Sequence, residues 1–383
     1  MSRYLITIAV VLLSLGSTAL GQPDLEKLKD FKIDGLIRFR TLAETEARRE
    51  LLVHAIWPDG LPVKLPARIK IDQGVPELAS LRTENFSSAT LLDVDVSELD
   101  FHARVFMLRP AGDKSITRLA VVQGGHMPEG AENYLSAGLS DTVNQLLRDG
   151  YLVSVVQMPL VGWNNDKDCM LNGTKFTFDK RGTAGHNELF EKVEPVLKAG
   201  TMRFFLEPVT QAINAMRADY PSAQQTMMIG LSGGGWTTHL YAAVDPRVDL
   251  SFAVAGALPL YARPFSRGSR GDAEQEYGPI FGEEDTDQDG IFDRATGVAS
   301  WLEVFALGGI SPTEGRRRKA VQVINLYDSC CFNGEVYKSY EIPLAHHVAA
   351  INQGDFSIFV DDTHRDHLIS PHVLSTLVSK AAH

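Results

Sequence analysis

The stretch that decides the fold is Thr226–Leu231 (TMMIGL), an apolar run that leads into Gly230-Leu231-Ser232-Gly233-Gly234. A short apolar run of this kind is typical of a strand that is buried on both faces. The residues that follow, Gly235–Val244, are typical of a helix. A G-x-S-x-G motif between a strand and a helix holds its serine in a strained turn, where glycines avoid Cβ clashes. Ser232 is therefore a candidate nucleophile.

Outward from this motif, apolar runs alternate with amphipathic segments. Alternating strands and helices predict a mostly parallel sheet that is covered by helices on both faces. Residues 67–108 instead show short alternating runs broken by turns, which predict antiparallel strands at one edge. The predicted strands are Arg118–Gln123, Tyr151–Val156, Leu250–Val254, Ala320–Leu326 and Phe356–Val360, and the predicted helices are Leu42–Ile56, Tyr134–Leu147, Met202–Tyr220 and Pro371–Ala382.

Over roughly residues 116–383, the motif and its setting resemble the α/β-hydrolase superfamily. That superfamily orders its catalytic triad as serine, acid and histidine along the chain. The resemblance implies an α/β-hydrolase fold with a mostly parallel central sheet and helices on both faces. A stretch at about 259–318 that is rich in loops interrupts the alternation of strands and helices, and we interpret it as an insertion before the acid-bearing strand. The resemblance also implies Asp328, which follows the strand AVQVINLY, as the acid, and a histidine in the loop after the last strand.

Two histidines, His364 and His367, compete for the role of the base. His367 lies in Asp366-His367-Leu368-Ile369-Ser370, which is similar to the D-H-x-F-S context of several hydrolases of this kind, so we favour it. His364 remains the alternative base. A neutral imidazole is needed to accept the serine proton, and the acid fixes the imidazole tautomer.

An oxyanion hole requires two backbone N–H groups that point at the developing negative charge. Gly233, the residue after the nucleophile, is one candidate. The resemblance implies the second in the loop Gln123-Gly124-Gly125-His126, where Gly125 is the candidate and Gln123 replaces the family's first histidine. His126 either borders the pocket or is a solvated loop residue.

A second motif, Asp285-Thr286-Asp287-Gln288-Asp289-Gly290-Ile291-Phe292-Asp293, has the spacing of a calcium loop. Carboxylates at positions 1, 3, 5 and 9, a carbonyl at position 7 and glycine at position 6 suit Ca²⁺. The predicted ligands are Asp285, Asp287, Asp289, Ile291 and Asp293, although Thr296 replaces the glutamate of an EF-hand. We expect a structural Ca²⁺ and no catalytic cofactor; a solvated acidic turn is the alternative.

The chain has 383 residues, 44% of them hydrophobic, and a formal net charge of −11. An acidic protein lacks the lysine and arginine surplus that nucleic acids and anionic membranes attract, so we expect neither as a partner. Residues 1–21 have a basic start, an apolar run and small residues, as a secretory signal peptide does. They predict export to the periplasm or the medium, with no membrane span after cleavage. Residues 22–90 form an N-terminal segment that packs on or leads into the core, and residues 91–383 form the hydrolase domain.

Three cysteines, Cys169, Cys330 and Cys331, leave two pairings open. Cys169 pairs with one of the two adjacent cysteines, or those two pair with each other.

These features predict an exported serine hydrolase that cleaves carboxylic esters through an acyl-enzyme. By analogy with acetyl esterases, the substrate is a small-molecule or extracellular polysaccharide ester. The alternatives are a peptidase of the same fold and a non-catalytic, calcium-dependent binding protein.

Overall fold

The computed structural model describes residues 25–96, 100–112, 115–127, 133–165, 168–171, 173–179, 182–197, 200–266 and 271–381. The predicted signal peptide, residues 1–21, lies outside the described residues. The strands are β1 (Ala67–Ile71), β2 (Phe86–Val96), β3 (Phe101–Pro110), β4 (Arg118–Gln123), β5 (Leu152–Val156), β6 (Asp168–Leu171), β7 (Thr174–Thr177), β8 (Gln225–Leu231), β9 (Leu250–Val254), β10 (Glu283–Glu284), β11 (Arg294–Ala295), β12 (Lys319–Asn325) and β13 (Asp355–Asp361).

Nine of these strands form one sheet in the order β1-β2-β3-β5-β4-β8-β9-β12-β13. The pairs from β5 to β13 are parallel, whereas β1–β2, β2–β3 and β3–β5 are antiparallel. The inner strands β5 and β8 are buried almost throughout, as parallel strands covered on both faces require. The predicted parallel sheet and antiparallel edge are confirmed, and the five predicted strands lie within one residue of the observed ones.

The helices that cover the sheet are α1 (Leu42–Ile56), α2 (Leu139–Arg148), α3 (Gly182–Leu197), α4 (Arg203–Asp219), α5 (Gly233–Val244), α6 (Gly278–Phe281), α7 (Trp301–Gly309), α8 (Glu341–Ala350), α9 (Pro371–Val373) and α10 (Ser379–Ala381), with a π-helix (Leu374–Val378) between the last two. The structure starts α2 five residues later than predicted, because Ala137 and Gly138 have positive φ angles of 55° and 84°. A left-handed backbone cannot continue a right-handed helix.

The stretch predicted to be rich in loops, residues 259–318, contains the helix α7. Ser300 caps it and Glu303 completes the capping box, and every residue of the helix is buried. A parallel connection from β9 to β12 needs a crossover, which α7 supplies. Helix α3 was also not predicted from the sequence; it contains Pro195 and begins with glycine-rich sequence.

Two apolar clusters form the core. One includes residues of α1, α4, α5, α7 and α8, and the other includes residues of α2 and of the closing helical segment after residue 370. The sheet therefore has helices on both faces, as predicted. In the described part of the chain, no helix is long and apolar enough to cross a membrane.

Candidate active site

Ser232 lies at the carboxyl end of β8, in the sharp turn that the motif predicts. Its backbone has φ 57° and ψ −121°, a conformation that L-residues rarely adopt. Its amide donates to the carbonyl of Val254 at 2.9 Å, and its carbonyl accepts from Trp236 at 2.9 Å. A Cβ on Gly230 would overlap the carbonyl of Gly234, so the turn closes only with glycine there. The strand and the helix together hold the serine in place.

Asp328 and His367 follow adjacent parallel strands, β12 and β13, and meet beyond their carboxyl ends. His367 Nδ1 lies 2.7 Å from Asp328 Oδ2. A carboxylate only accepts, so Nδ1 carries the proton and Nε2 is left as a base. His367 Nε2 has no hydrogen-bond partner among the described residues, and Asp328 is buried. The pair has the form of an acid–base relay with one nitrogen left for a substrate or nucleophile.

His364 does not reach this acid. Its Nε2 lies 3.3 Å from Asp361 Oδ2 instead. Asp361 also accepts from the hydroxyls of Ser370 and Thr363. Burial raises the pKa of Asp361, but these hydrogen bonds outweigh burial and lower it. Asp361 thus anchors the loop that carries both histidines, and the structure places only His367 on Asp328.

A disulfide joins the neighbours Cys330 and Cys331, which follow Asp328 closely in the chain. This disulfide decides between the two pairings that the sequence left open. The amides of Cys330 and Cys331 donate to Asp328 Oδ1 at 2.7 and 3.2 Å. Their sulfur atoms and His367 offer ligand atoms that lie within 4.8 Å of one another. Cys169 is buried without a disulfide, and burial raises the pKa of its thiol to about 11. The vicinal disulfide therefore fixes the two N–H donors that orient the acid.

The candidate oxyanion donors flank Ser232. A Cβ built on Gly125 would lie 2.8 Å from Ser232 Cβ and 2.9 Å from Gly233 N, so this loop can approach the elbow only because it carries glycine. A Cβ on Gly233 would overlap the sulfur of Met158 and lie 3.3 Å from His126 Nδ1. Gly125 and Gly233 are thus brought together at Ser232, with Met158 and His126 beside Gly233.

His126 points into the protein rather than into solvent. It meets three residues that the sequence did not single out, His186, Asp272 and Glu274. His186 lies 88 residues before Glu274, so no spacing motif joins it to the two acids. His186 belongs to α3, which was itself not predicted.

The acidic loop brings three of its five predicted ligands together. Asp285, Asp287 and Asp289 offer oxygens within 4.8 Å of one another. Asp293 instead accepts from the amide and hydroxyl of Thr286, at 3.0 and 2.5 Å. The side chain of the fifth, Ile291, is buried. The loop packs closely against the N-terminal segment at Gly35. A Cβ built on Gly35 would overlap the carbonyl oxygen of Asp293, so this approach requires glycine.

Two acids at the start of this loop do not contribute to its charge. Both carboxyl oxygens of Glu283 are buried, although the residue as a whole is half-buried, and burial raises its pKa to about 8 despite nearby Arg263. Glu284 forms an ion pair with Arg294. The local negative charge is therefore that of the four aspartates.

Neither protein-family models nor curated protein sequences match the chain. Solved structures do. The chain is similar to acetyl xylan esterase 1 from Thermoanaerobacterium sp., with 13% identity, a TM-score of 0.54, and coverage of 94% of this chain and 97% of that one. It is also similar to a methylesterase, with 12% identity, a TM-score of 0.52, and coverage of 93% and 65%. The chain has the α/β-hydrolase fold, and the predicted fold class is confirmed.

Proposed function

We propose that the protein is a serine hydrolase that cleaves carboxylic esters. The observation that carries the proposal is the 2.7 Å contact between His367 Nδ1 and buried Asp328, which leaves Nε2 without a partner. It lies beyond the carboxyl ends of strands in the same parallel sheet whose strand β8 ends at the strained Ser232. This edge is where α/β proteins place their chemistry.

In the proposed reaction, Ser232 Oγ attacks the ester carbonyl carbon while His367 Nε2 takes the hydroxyl proton. The amides of Gly125 and Gly233 donate to the oxyanion of the tetrahedral intermediate. His367 then returns the proton to the departing alcohol, which leaves an acyl group on Ser232. Water, deprotonated by His367 Nε2, then attacks the acyl carbonyl carbon. The bond to Ser232 Oγ breaks, His367 returns the proton to Oγ, and the carboxylic acid leaves. Asp328 accepts from Nδ1 and stabilises the imidazolium.

For the substrate we propose short acyl or methyl esters on a polysaccharide. Support comes from the two structural neighbours, an acetyl xylan esterase and a methylesterase. Residues 1–21 resemble a signal peptide, which supports export from the cell. Such polysaccharides occur outside cells. Unrelated substrates occur on the same fold, so turnover of defined esters is the measurement that decides the substrate.

The test is a hydrolysis panel with the purified full chain. Nitrophenyl esters of increasing acyl length, acetylated xylan, methyl-esterified pectin and aminoacyl peptide amides are compared with the Ser232→Ala variant. We expect ester turnover that falls with acyl length and is lost in the variant. Amide cleavage at rates above ester cleavage would favour the peptidase, and no turnover at all would favour the binding protein.

We also propose that the acidic loop binds Ca²⁺ through Asp285, Asp287 and Asp289. Oxygen ligands on a short loop suit this ion, and the positive φ of Gln288 (64°) and Gly290 (92°) curls the loop around the three carboxylates. At 100 times its dissociation constant, Ca²⁺ would stabilise the fold by about 2.7 kcal/mol. We expect a higher melting temperature in excess Ca²⁺ than in EDTA, and no difference for Asp287→Asn. An equal melting temperature in both buffers for the unmodified chain would refute the site.

A further inference from the structure

Three ligand-type atoms meet in a buried cluster beside the oxyanion loop. His126 Nε2 lies 2.9 Å from His186 Nδ1 and 3.3 Å from Glu274 Oε1, and the last two atoms are 3.1 Å apart. The side chains of His186 and Glu274 are fully buried, and that of His126 is 18% exposed. The three atoms therefore form a small, nearly regular triangle away from bulk water.

The contacts on the far side of the two rings indicate which nitrogen of each ring faces the cluster. His186 Nε2 lies 2.7 Å from the carbonyl of Pro159, which can only accept, so Nε2 carries the proton and Nδ1 a lone pair. His126 Nδ1 faces Asp272 Oδ2 at 3.4 Å, which leaves Nε2 to face the cluster. Glu274 adds a carboxylate whose Oε2 is buried without a hydrogen-bond partner among the described residues.

Lone pairs that converge in a buried space repel one another unless a cation or protons lie between them. A buried carboxylate is stable only with a positive partner or a proton beside it. One shared proton cannot serve three acceptors at once, whereas one metal ion can.

We propose that His126, His186 and Glu274 bind a zinc-class divalent metal ion. An ion about 2.1 Å from each ligand atom fits the observed triangle, and two imidazoles with one carboxylate are a common zinc ligand set. Pro159 and Asp272 supply the outer partners that metal-bound histidines usually have. Water or Glu274 Oε2 would occupy the fourth coordination position of the ion. Two imidazole ligands select against Ca²⁺ and Mg²⁺.

The position of the site gives it a structural role. It joins the loop of Gly125 and His126, helix α3 and the segment around residue 274, which are distant from one another in the sequence. His126 follows Gly125 directly, and its Nδ1 lies 3.3 Å from the point that a Cβ on Gly233 would occupy. The ion would therefore hold the loop that approaches Ser232. The metal site stands independently of which bond the enzyme cleaves.

The test is elemental analysis of the untagged full chain, purified without chelator and compared with chain that has been stripped and reloaded with Zn²⁺ or Co²⁺. We expect one zinc-class ion per chain, a higher melting temperature when loaded, and the visible absorption of a four-coordinate Co²⁺ site. Glu274→Gln and His186→Ala should lose the ion. His346→Ala, on the exposed face of α8, should keep it.

Two results would overturn the proposal. One is an unmodified chain that binds no zinc-class metal and shows no thermal response to excess Zn²⁺ or Co²⁺; the cluster would then be a protonated ion pair. The other is full occupancy in folded Glu274→Gln and His186→Ala chains, which would place the ion elsewhere. The first measurement needs no variant, so misfolding of a variant does not protect the proposal.

Discussion

Two of the histidine–carboxylate clusters differ in where their lone pairs point. In the pair His367–Asp328, one ring nitrogen contacts the acid and the other has no partner in the described structure. In the cluster of His126, His186 and Glu274, the lone pairs converge on one another. We therefore assign the same residue types to a proton relay in one place and to a cation site in the other. Outward hydrogen bonds, rather than residue identity, decide which.

The largest expected effect comes from breaking the relay. His367→Gln should lower kcat/KM by about 10⁴-fold, because the serine loses its base. His364→Gln is the matched control from the same loop and should retain activity within about threefold, since its partner is Asp361 and not the catalytic acid. Ester hydrolysis by the two purified variants measures both effects. A large loss for His364→Gln with activity kept in His367→Gln would exchange their roles.

A smaller effect should follow from removing the disulfide beside Asp328. The double variant Cys330→Ser/Cys331→Ser should lower kcat by about tenfold to hundredfold, because misplacing a catalytic group by about 1 Å costs this much. Reduction of the unmodified chain with a phosphine should give the same loss, and Cys169→Ala should not change kcat. An unchanged kcat in the double variant would show that the amides hold Asp328 without the disulfide.

These contacts also show how much of the fold and of the candidate site could be predicted from the sequence. The elbow and the parallel strands were predictable, because an apolar run and a glycine-flanked serine are local steric signals. His367 was distinguishable from His364 only by its neighbouring residues, and the structure supplies the geometric reason. The vicinal disulfide stayed open, because three cysteines allow more than one pairing.

The remaining features depend on contacts between distant parts of the chain. Glu274 and His186 meet across 88 residues, and α3, which carries His186, lacks a clear helical signal. Glu283 reads as one more acid of the loop, yet its carboxyl group is buried near Arg263. Charge counting cannot separate buried from exposed carboxylates, so the sequence alone does not show that Glu283 is buried.

The last effect concerns how the buried Glu283 makes the stability of the chain depend on pH. The pKa of Glu283 is raised from 4.5 to about 8, so the unfolded chain loses this proton at lower pH than the folded chain does. Stability should therefore fall as pH rises between these two values. Glu283→Gln removes that fall and should be more stable than the unmodified chain at pH 9, by on the order of 5 kcal/mol.

The measurement is urea unfolding of both chains at pH 5 and pH 9. Near pH 5 the two should differ little, because Glu283 is protonated in the folded chain. Asp285→Asn is a control from the exposed loop that should not gain stability at pH 9. If the advantage of Glu283→Gln is equal at both pH values, it does not arise from titration of this carboxyl group.

The central claim is that Ser232 is the nucleophile activated by His367. A fluorophosphonate probe, followed by mass spectrometry of the digested chain, tests it most directly. We expect one adduct, on the peptide that contains Ser232, with labelling slowed strongly in His367→Gln and absent in Ser232→Ala. An unlabelled native chain, or an adduct that persists in Ser232→Ala, would contradict the account.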